Sequence, residues 1–292
     1  MCLATHLLST YYILRADAVP GPVSADLLVS SPSGWVPGKW EPAQLMNSLD
    51  RLNIKIFADG ADLDGMVAMY ADPRISGFTT NPTLMRKAGV DDYEAFARLV
   101  LDRIPDRPIS FEVFADDFNE MGRQARHIAG WGANVNVKIP VTNSEGRSSA
   151  DLVHELSRDG ITVNVTAIMS VEQVRIIADA LHRDTPAIIS VFAGRIADTG
   201  IDPVPHMTAC LESLADRPLA QLLWASPREL LNLFQADAIG CDIITMTNDL
   251  LKKMAMVGKD LEVYSLETVG MFRSDAAAAA YRLNTVAAVA DN

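Results

Sequence analysis

Residues 134–140 read NVNVKIP, and the alternation in this stretch decides how the rest of the chain is read. In a β-strand, successive side chains point to opposite faces. Val135, Val137 and Ile139 therefore share one purely aliphatic face, and Asn134, Asn136 and Lys138 share the other. A strand buried on both faces should be apolar throughout, so a lysine here marks a face with its own purpose. Three more runs repeat the pattern. ITVNVT sets Ile161, Val163 and Val165 against Thr162, Asn164 and Thr166, and ISFEVF sets Ile109, Phe111 and Val113 against Ser110, Glu112 and Phe114. IKIFAD sets Ile54 and Ile56 against Phe57 and Asp59.

Outward from these runs, short apolar stretches alternate with amphipathic stretches of helix length. The strand-like runs span 54–59, 77–81, 109–114, 134–140, 161–166, 186–192, 221–226 and 242–247. Helical patterns lie between them, at 82–104, 117–130, 148–158, 171–182 and 227–238, and a last one covers about 266–283. Strands that alternate with helices imply a parallel sheet with helical crossovers. Eight such units in about 240 residues fit a closed (β/α)8 TIM barrel, α/β in class and eight-stranded, with an additional C-terminal helix. No glycine-rich phosphate turn follows the first strand, which weighs against a dinucleotide-binding fold. Residues 1–50 read differently. VPGPVSADLLVSSPSGWVPGKWEP has no sustained periodicity, so 1–50 is expected to be a poorly ordered N-terminal extension and 51–292 the barrel with its C-terminal helix.

The 292 residues carry 25 Lys and Arg against 37 Asp and Glu, a formal net charge of −12. That balance argues against nucleic acid or an anionic membrane surface as partner, since both need broad positive potential. A hydrophobic content of 49% suffices for a sizeable core. Cys2, Cys210 and Cys241 are too few and too scattered for a disulfide framework or a zinc knuckle. No apolar run reaches the roughly 18 residues that span a bilayer. The N-terminus has no Lys or Arg before Arg15, and polar residues interrupt its apolar stretch. A cytoplasmic protein is expected.

In a closed barrel the outer strand face packs on helices, while the inner face leads up to a site at the C-terminal ends of the strands. The alternation then predicts one pocket holding Asp59, Glu112, Lys138, Asn164 and Thr166. An amine partly buried among neutral neighbours gives up its proton readily, and a neutral amine attacks a carbonyl to form a Schiff base. Two inward carboxylates could move the protons that such chemistry requires. The bland alternative is a salt-bridged cluster closing the top of the barrel. Arg195 in VFAGRIAD and Arg228 in WASPREL each lie just past a strand, beside Ser226. Together with backbone amides at the start of the following helix they would form an anion site suited to phosphate, although either arginine alone reads as a surface ion pair. The five histidines show no i, i+4 pair and no HExxH, so no metal site is expected.

The motifs FTTNP (78–82), VKIPVT (137–142), NVTAIMS (164–170), SVFAGRIAD (190–198) and ASPRE (225–229) together resemble the transaldolase family, in its order and spacing. The resemblance implies that Lys138 is the Schiff-base lysine and Asp59 the acid/base on the C4 hydroxyl. Glu112 and Thr166 would handle protons during imine formation. Asn81, Asn164 and Ser190 would hold a dihydroxyacetone unit beside Phe192, and Arg195, Ser226 and Arg228 the substrate phosphate. It further implies transfer of that unit from a ketose phosphate such as sedoheptulose 7-phosphate or fructose 6-phosphate. The acceptor would be an aldose phosphate, glyceraldehyde 3-phosphate or erythrose 4-phosphate, in the pentose phosphate pathway. No metal or organic cofactor is implied, the partners are sugar phosphates, and a homo-oligomer is expected. Fructose 6-phosphate aldolase members resemble the chain too, but carry Tyr where it has Phe192 and Gln where it has Glu112. A phenyl ring cannot position water or supply a proton as a phenol can, so transfer is favoured over free aldol cleavage. The alternatives are an aldolase of that kind, a secondary-pathway transaldolase, or a non-catalytic barrel that binds sugar phosphates.

Overall fold

The computed structural model describes residues 49–283. Eight parallel strands close into a barrel in chain order: β1 (Lys55–Asp59), β2 (Ile75–Thr79), β3 (Ile109–Glu112), β4 (Val135–Pro140), β5 (Val163–Ile168), β6 (Ala187–Val191), β7 (Ala220–Trp224) and β8 (Ile243–Thr247), with β8 pairing back onto β1. Around them run α1 (Leu63–Tyr70), α2 (Pro82–Lys87), α3 (Tyr93–Arg103), α4 (Phe118–Ala129), α5 (Ala150–Arg158), α6 (Val171–Ala180), α7 (Ala193–Asp198), α8 (Pro203–Ser213), α9 (Leu231–Ala238), α10 (Asn248–Lys252) and α11 (Leu261–Ala278). This is the (β/α)8 barrel, with a further C-terminal helix. Of the N-terminal extension expected over 1–50, residues 1–48 lie outside the described residues.

Two apolar layers hold the barrel together. The outer strand faces, including Val135, Val137, Ile139, Val163 and Val165, pack on helix stripes such as Met121, Ala125 and Ile128 of α4 and Val174 and Ile177 of α6. That 3–4 spacing is the periodicity of a helix with one apolar side. Burying each such aliphatic side chain stabilises the fold by about 1.5–3 kcal/mol. Inside the barrel a smaller cluster of Phe57, Ile188, Leu223, Ala225 and Ile243 closes the interior. The predicted faces of the four diagnostic strands therefore hold, apart from Asn134 and Phe114. Asn134 precedes β4, and its side-chain amide donates to the carbonyls of Ile104 and Arg107. β3 ends at Glu112, so the alternation stops there; Phe114 is more than half exposed and its ring packs against Tyr93.

Other boundaries differ for local reasons. The single helix expected over 82–104 is two helices. Gly89 adopts φ +71°, which ends α2, and the Asp92 carboxylate accepts the Ala95 amide to start α3. The pattern at 227–238 becomes helical only at Leu231, and the last helix starts earlier than 266, capped at Val263 by Asp260. Helices α1, α7, α8 and α10 lay outside the sequence reading. Among the described residues no helix is long and apolar enough to cross a membrane.

Candidate active site

Strand pairing sets the centre of the site. Glu112 of β3 lies opposite Lys138 of β4, and Lys138 lies opposite Asn164 of β5. Lys138 is 7% exposed, yet its amine is partnered: it donates to the Thr80 carbonyl at 2.8 Å and sits 3.1 Å from Oε2 of Glu112. The lysine is thus not among neutral neighbours alone, and one of the two expected carboxylates touches it. The other, Asp59, ends β1, where Thr79 Oγ1 donates to its Oδ1 at 2.8 Å and also contacts the Thr245 hydroxyl. Burial holds the Asp59 carboxyl above the usual carboxylate range, against the pull of the Lys138 charge and the Thr79 hydrogen bond.

These groups open into a cavity of about 600 Å³ at the C-terminal ends of the strands. Asp59, Asn81, Glu112, Lys138, Thr166, Ser190, Phe192, Arg195, Ser226 and Arg228 all line it. Asn164 does not. It is fully buried beneath the floor, accepts from Ser190 Oγ at 2.6 Å and donates to Ser110 Oγ at 3.0 Å. Asn164 therefore orients Ser190 in this structure rather than facing the cavity. Asn81 caps α2, its side-chain oxygen accepting from the Leu84 amide, which leaves its NH2 group for the cavity. Thr166 sits at a bulge where the β5–β6 register shifts between Val165 and Ile168, and Ala167 beside it takes φ +62°. Such a backbone costs about 1 kcal/mol or more and is typical of functional sites.

The rim expected to bind an anion is built differently from the expectation. The amides of Arg228 and Glu229 are both taken by the Asn232 side-chain oxygen, at 2.8 and 3.2 Å, so they are not free for a phosphate. Side chains remain. The Arg195 guanidinium lies 5.1 Å from the Phe192 ring centre, and Arg228 forms a two-pronged pair with Asp198, its Nε at 3.0 Å from Oδ1. Ser226, at φ +61°, carries its carbonyl so close to Gly194 that a Cβ there would sit 1.6 Å from the oxygen. Only glycine lets the β6 and β7 loops approach this closely.

Several cavity groups were not read from the sequence. Thr79 and Thr245 follow the same alternation on β2 and β8 and could have been found that way. Lys87, from the last turn of α2, lines the cavity without any strand signal. Inner-face Asn136 and Thr162 open instead to a separate recess of about 390 Å³ with Lys55 and Gln221, which alternation alone cannot distinguish from the site.

A family profile described as Transaldolase/Fructose-6-phosphate aldolase matches residues 56–290. A protein of Dehalococcoides mccartyi named "Probable transaldolase" is 34% identical over 69% of this chain and 90% of its own. Proteins of the same name are 32% identical in Methanococcus maripaludis and 33% in a Thermoanaerobacter species, each over 69% of this chain and 89% of theirs. The profile runs from Ile56 within β1 through α11 and includes every residue that lines the cavity. The chain belongs to the transaldolase/fructose-6-phosphate aldolase family.

Proposed function

We propose that this protein is a cytoplasmic transaldolase of the pentose phosphate pathway. It moves a dihydroxyacetone unit between sugar phosphates through a Schiff base on Lys138. The observation that carries the reading is the Lys138 amine, 3.1 Å from Glu112 at the floor of a cavity that also holds Asp59 and, at its rim, Arg195 and Arg228. A ketose carbonyl adds to the amine once Glu112 has taken its proton, and loss of water gives the iminium; Glu112, with Thr166, moves the protons. Asp59 then takes the proton of the C4 hydroxyl as the C3–C4 bond breaks. The bonding pair passes to the iminium as an enamine and the aldose phosphate leaves. A second aldose phosphate accepts the enamine, and hydrolysis frees the lysine. Asn81 and Ser190 hold the three-carbon unit, Asn164 supporting Ser190 from below, and Arg195, Ser226 and Arg228 hold the phosphate.

Phe192 favours transfer over release of free dihydroxyacetone, because its ring offers no hydroxyl to activate the water that would hydrolyse the enamine. A homo-oligomer is proposed as well. Helix α11 has no buried residue and is the face such an assembly would cover.

Borohydride trapping with fructose 6-phosphate tests the chemistry. A reduced adduct mapped to Lys138 and absent from Lys138→Met is expected. No adduct with this or a heptulose phosphate, from folded protein, overturns the reading in favour of a barrel that only binds sugar phosphates. Product formation with and without an acceptor aldehyde separates transfer from cleavage.

A further inference from the structure

The end of β3 that carries Glu112 lacks a strand partner on one side. Along β3, the amides of Ile109 and Val113 donate to β4, so the peptide groups of Ser110 and Glu112 face β2. For Ser110 that works: its carbonyl accepts both the amide and the hydroxyl of Thr80. Beyond this point β2 has ended, and Asn81 is already capping α2. The amide and carbonyl of Glu112 would both be orphaned, which a protein interior rarely tolerates.

One hydroxyl fills the gap. Tyr93, the first residue of α3, accepts the Glu112 amide at 2.8 Å and donates to the Glu112 carbonyl at 3.0 Å. Burial pushes the Tyr93 phenol up in pKa, so it stays a neutral O–H able to do both. The ring is fixed in turn by edge-on contacts with Phe111, Phe114 and Trp131, at centroid distances of 6.2, 4.5 and 5.6 Å. We propose that Tyr93 is a positioning residue for the reaction: its hydroxyl takes the place of the missing β2 strand and fixes the backbone of Glu112, and so holds the carboxylate against the Lys138 amine. The inference rests on the Schiff-base function proposed above. Its physical basis is that a proton-transfer group displaced by a fraction of an ångström loses its advantage steeply.

The test uses the full chain and single-turnover borohydride trapping on fructose 6-phosphate. It compares wild type, Tyr93→Phe, Glu112→Gln, the double variant and Trp131→Phe. Tyr93→Phe is expected to slow adduct formation on Lys138 about tenfold with KM little changed, and to add nothing once Glu112 is already Gln. Trp131→Phe disturbs the same aromatic cluster but leaves both hydroxyl bonds, and is expected to slow adduct formation far less than Tyr93→Phe does. Hydrogen exchange provides a measurement that needs no variant: the Glu112 amide should be protected in the wild type although no strand covers it. An unprotected Glu112 amide overturns the inference. So does an unchanged rate in Tyr93→Phe, equal slowing in Trp131→Phe, or full additivity with Glu112→Gln. No adduct in the wild type instead overturns the Schiff-base function, and is recognised separately because it precedes any variant.

Discussion

Asp59 is the residue whose environment makes the sharpest demand. A carboxyl with a folded-state pKa above its unfolded value favours the protonated form. Its contribution to stability is present below the unfolded pKa and is lost as pH rises through the folded one. Asp59→Asn is therefore expected to unfold at higher denaturant than wild type at pH 8, Glu112 remaining as counter-charge for Lys138. The difference should close at acid pH, where the wild-type carboxyl is protonated; no gain at pH 8 contradicts the assignment. In the proposed reaction the same carboxyl must be ionised to take the C4 proton, so the acidic limb of turnover should lie above the ordinary carboxylate value of ~3.9. Thr79→Val removes the donor that favours the carboxylate and should move that limb to still higher pH. At this scale Lys138, Glu112 and Asp59 were legible because a polar residue on an otherwise aliphatic strand violates a strong rule. Tyr93 was not, since nothing in a helix-starting tyrosine records that a distant strand end lacks a partner.

Elements decide how the rim is assembled. Loops β6–α7 and β7–α9 meet where the Ser226 carbonyl passes over Gly194, and a methyl group there has nowhere to go. Gly194→Ala is expected to destabilise by about 1–3 kcal/mol, as overpacked sites do. It should also weaken selection of fructose 6-phosphate over unphosphorylated fructose; thermal unfolding and paired KM values check both. Asp198 occupies the guanidinium that a phosphate would use. Asp198→Asn frees Arg228 and should lower KM for a sugar phosphate on the order of twofold to fivefold, the equivalent of an exposed ion pair. The arginines were visible as residues just past strand ends. Their competition with Asp198 was not, because α7 and the β7 loop approach one another only in the closed barrel. The amides expected for phosphate failed for a local reason: Asn232, the second residue of α9, reaches back and takes them.

For the whole molecule, α11 stands out. Leu261, Leu266, Val269 and Phe272 are each more than 60% exposed, and apolar residues occur all round the helix. Large exposed apolar side chains gathered on one element mark an interaction surface, so the proposed homo-oligomer makes a direct prediction. The full chain of 31.7 kDa should sediment as a multiple of that mass. Leu266→Lys with Phe272→Lys should reduce the mass while changing the stability of the isolated barrel by no more than about 0.5 kcal/mol, as substitutions at exposed positions do. A monomeric full chain removes the proposal.

The sequence by itself determined the barrel, its strand order and the inward polar residues Asp59, Glu112, Lys138, Asn164 and Thr166. Period-two alternation and the 3.6-residue helix stripe are local properties that burial enforces strand by strand. Only the tertiary structure decided which inward residues face the cavity, which lie beneath it like Asn164, and which open to the opposite end like Asn136. It also decided which partners hold them in place. Those outcomes depend on strand register, barrel closure and where each strand stops, and they arise from contacts between segments far apart in the chain.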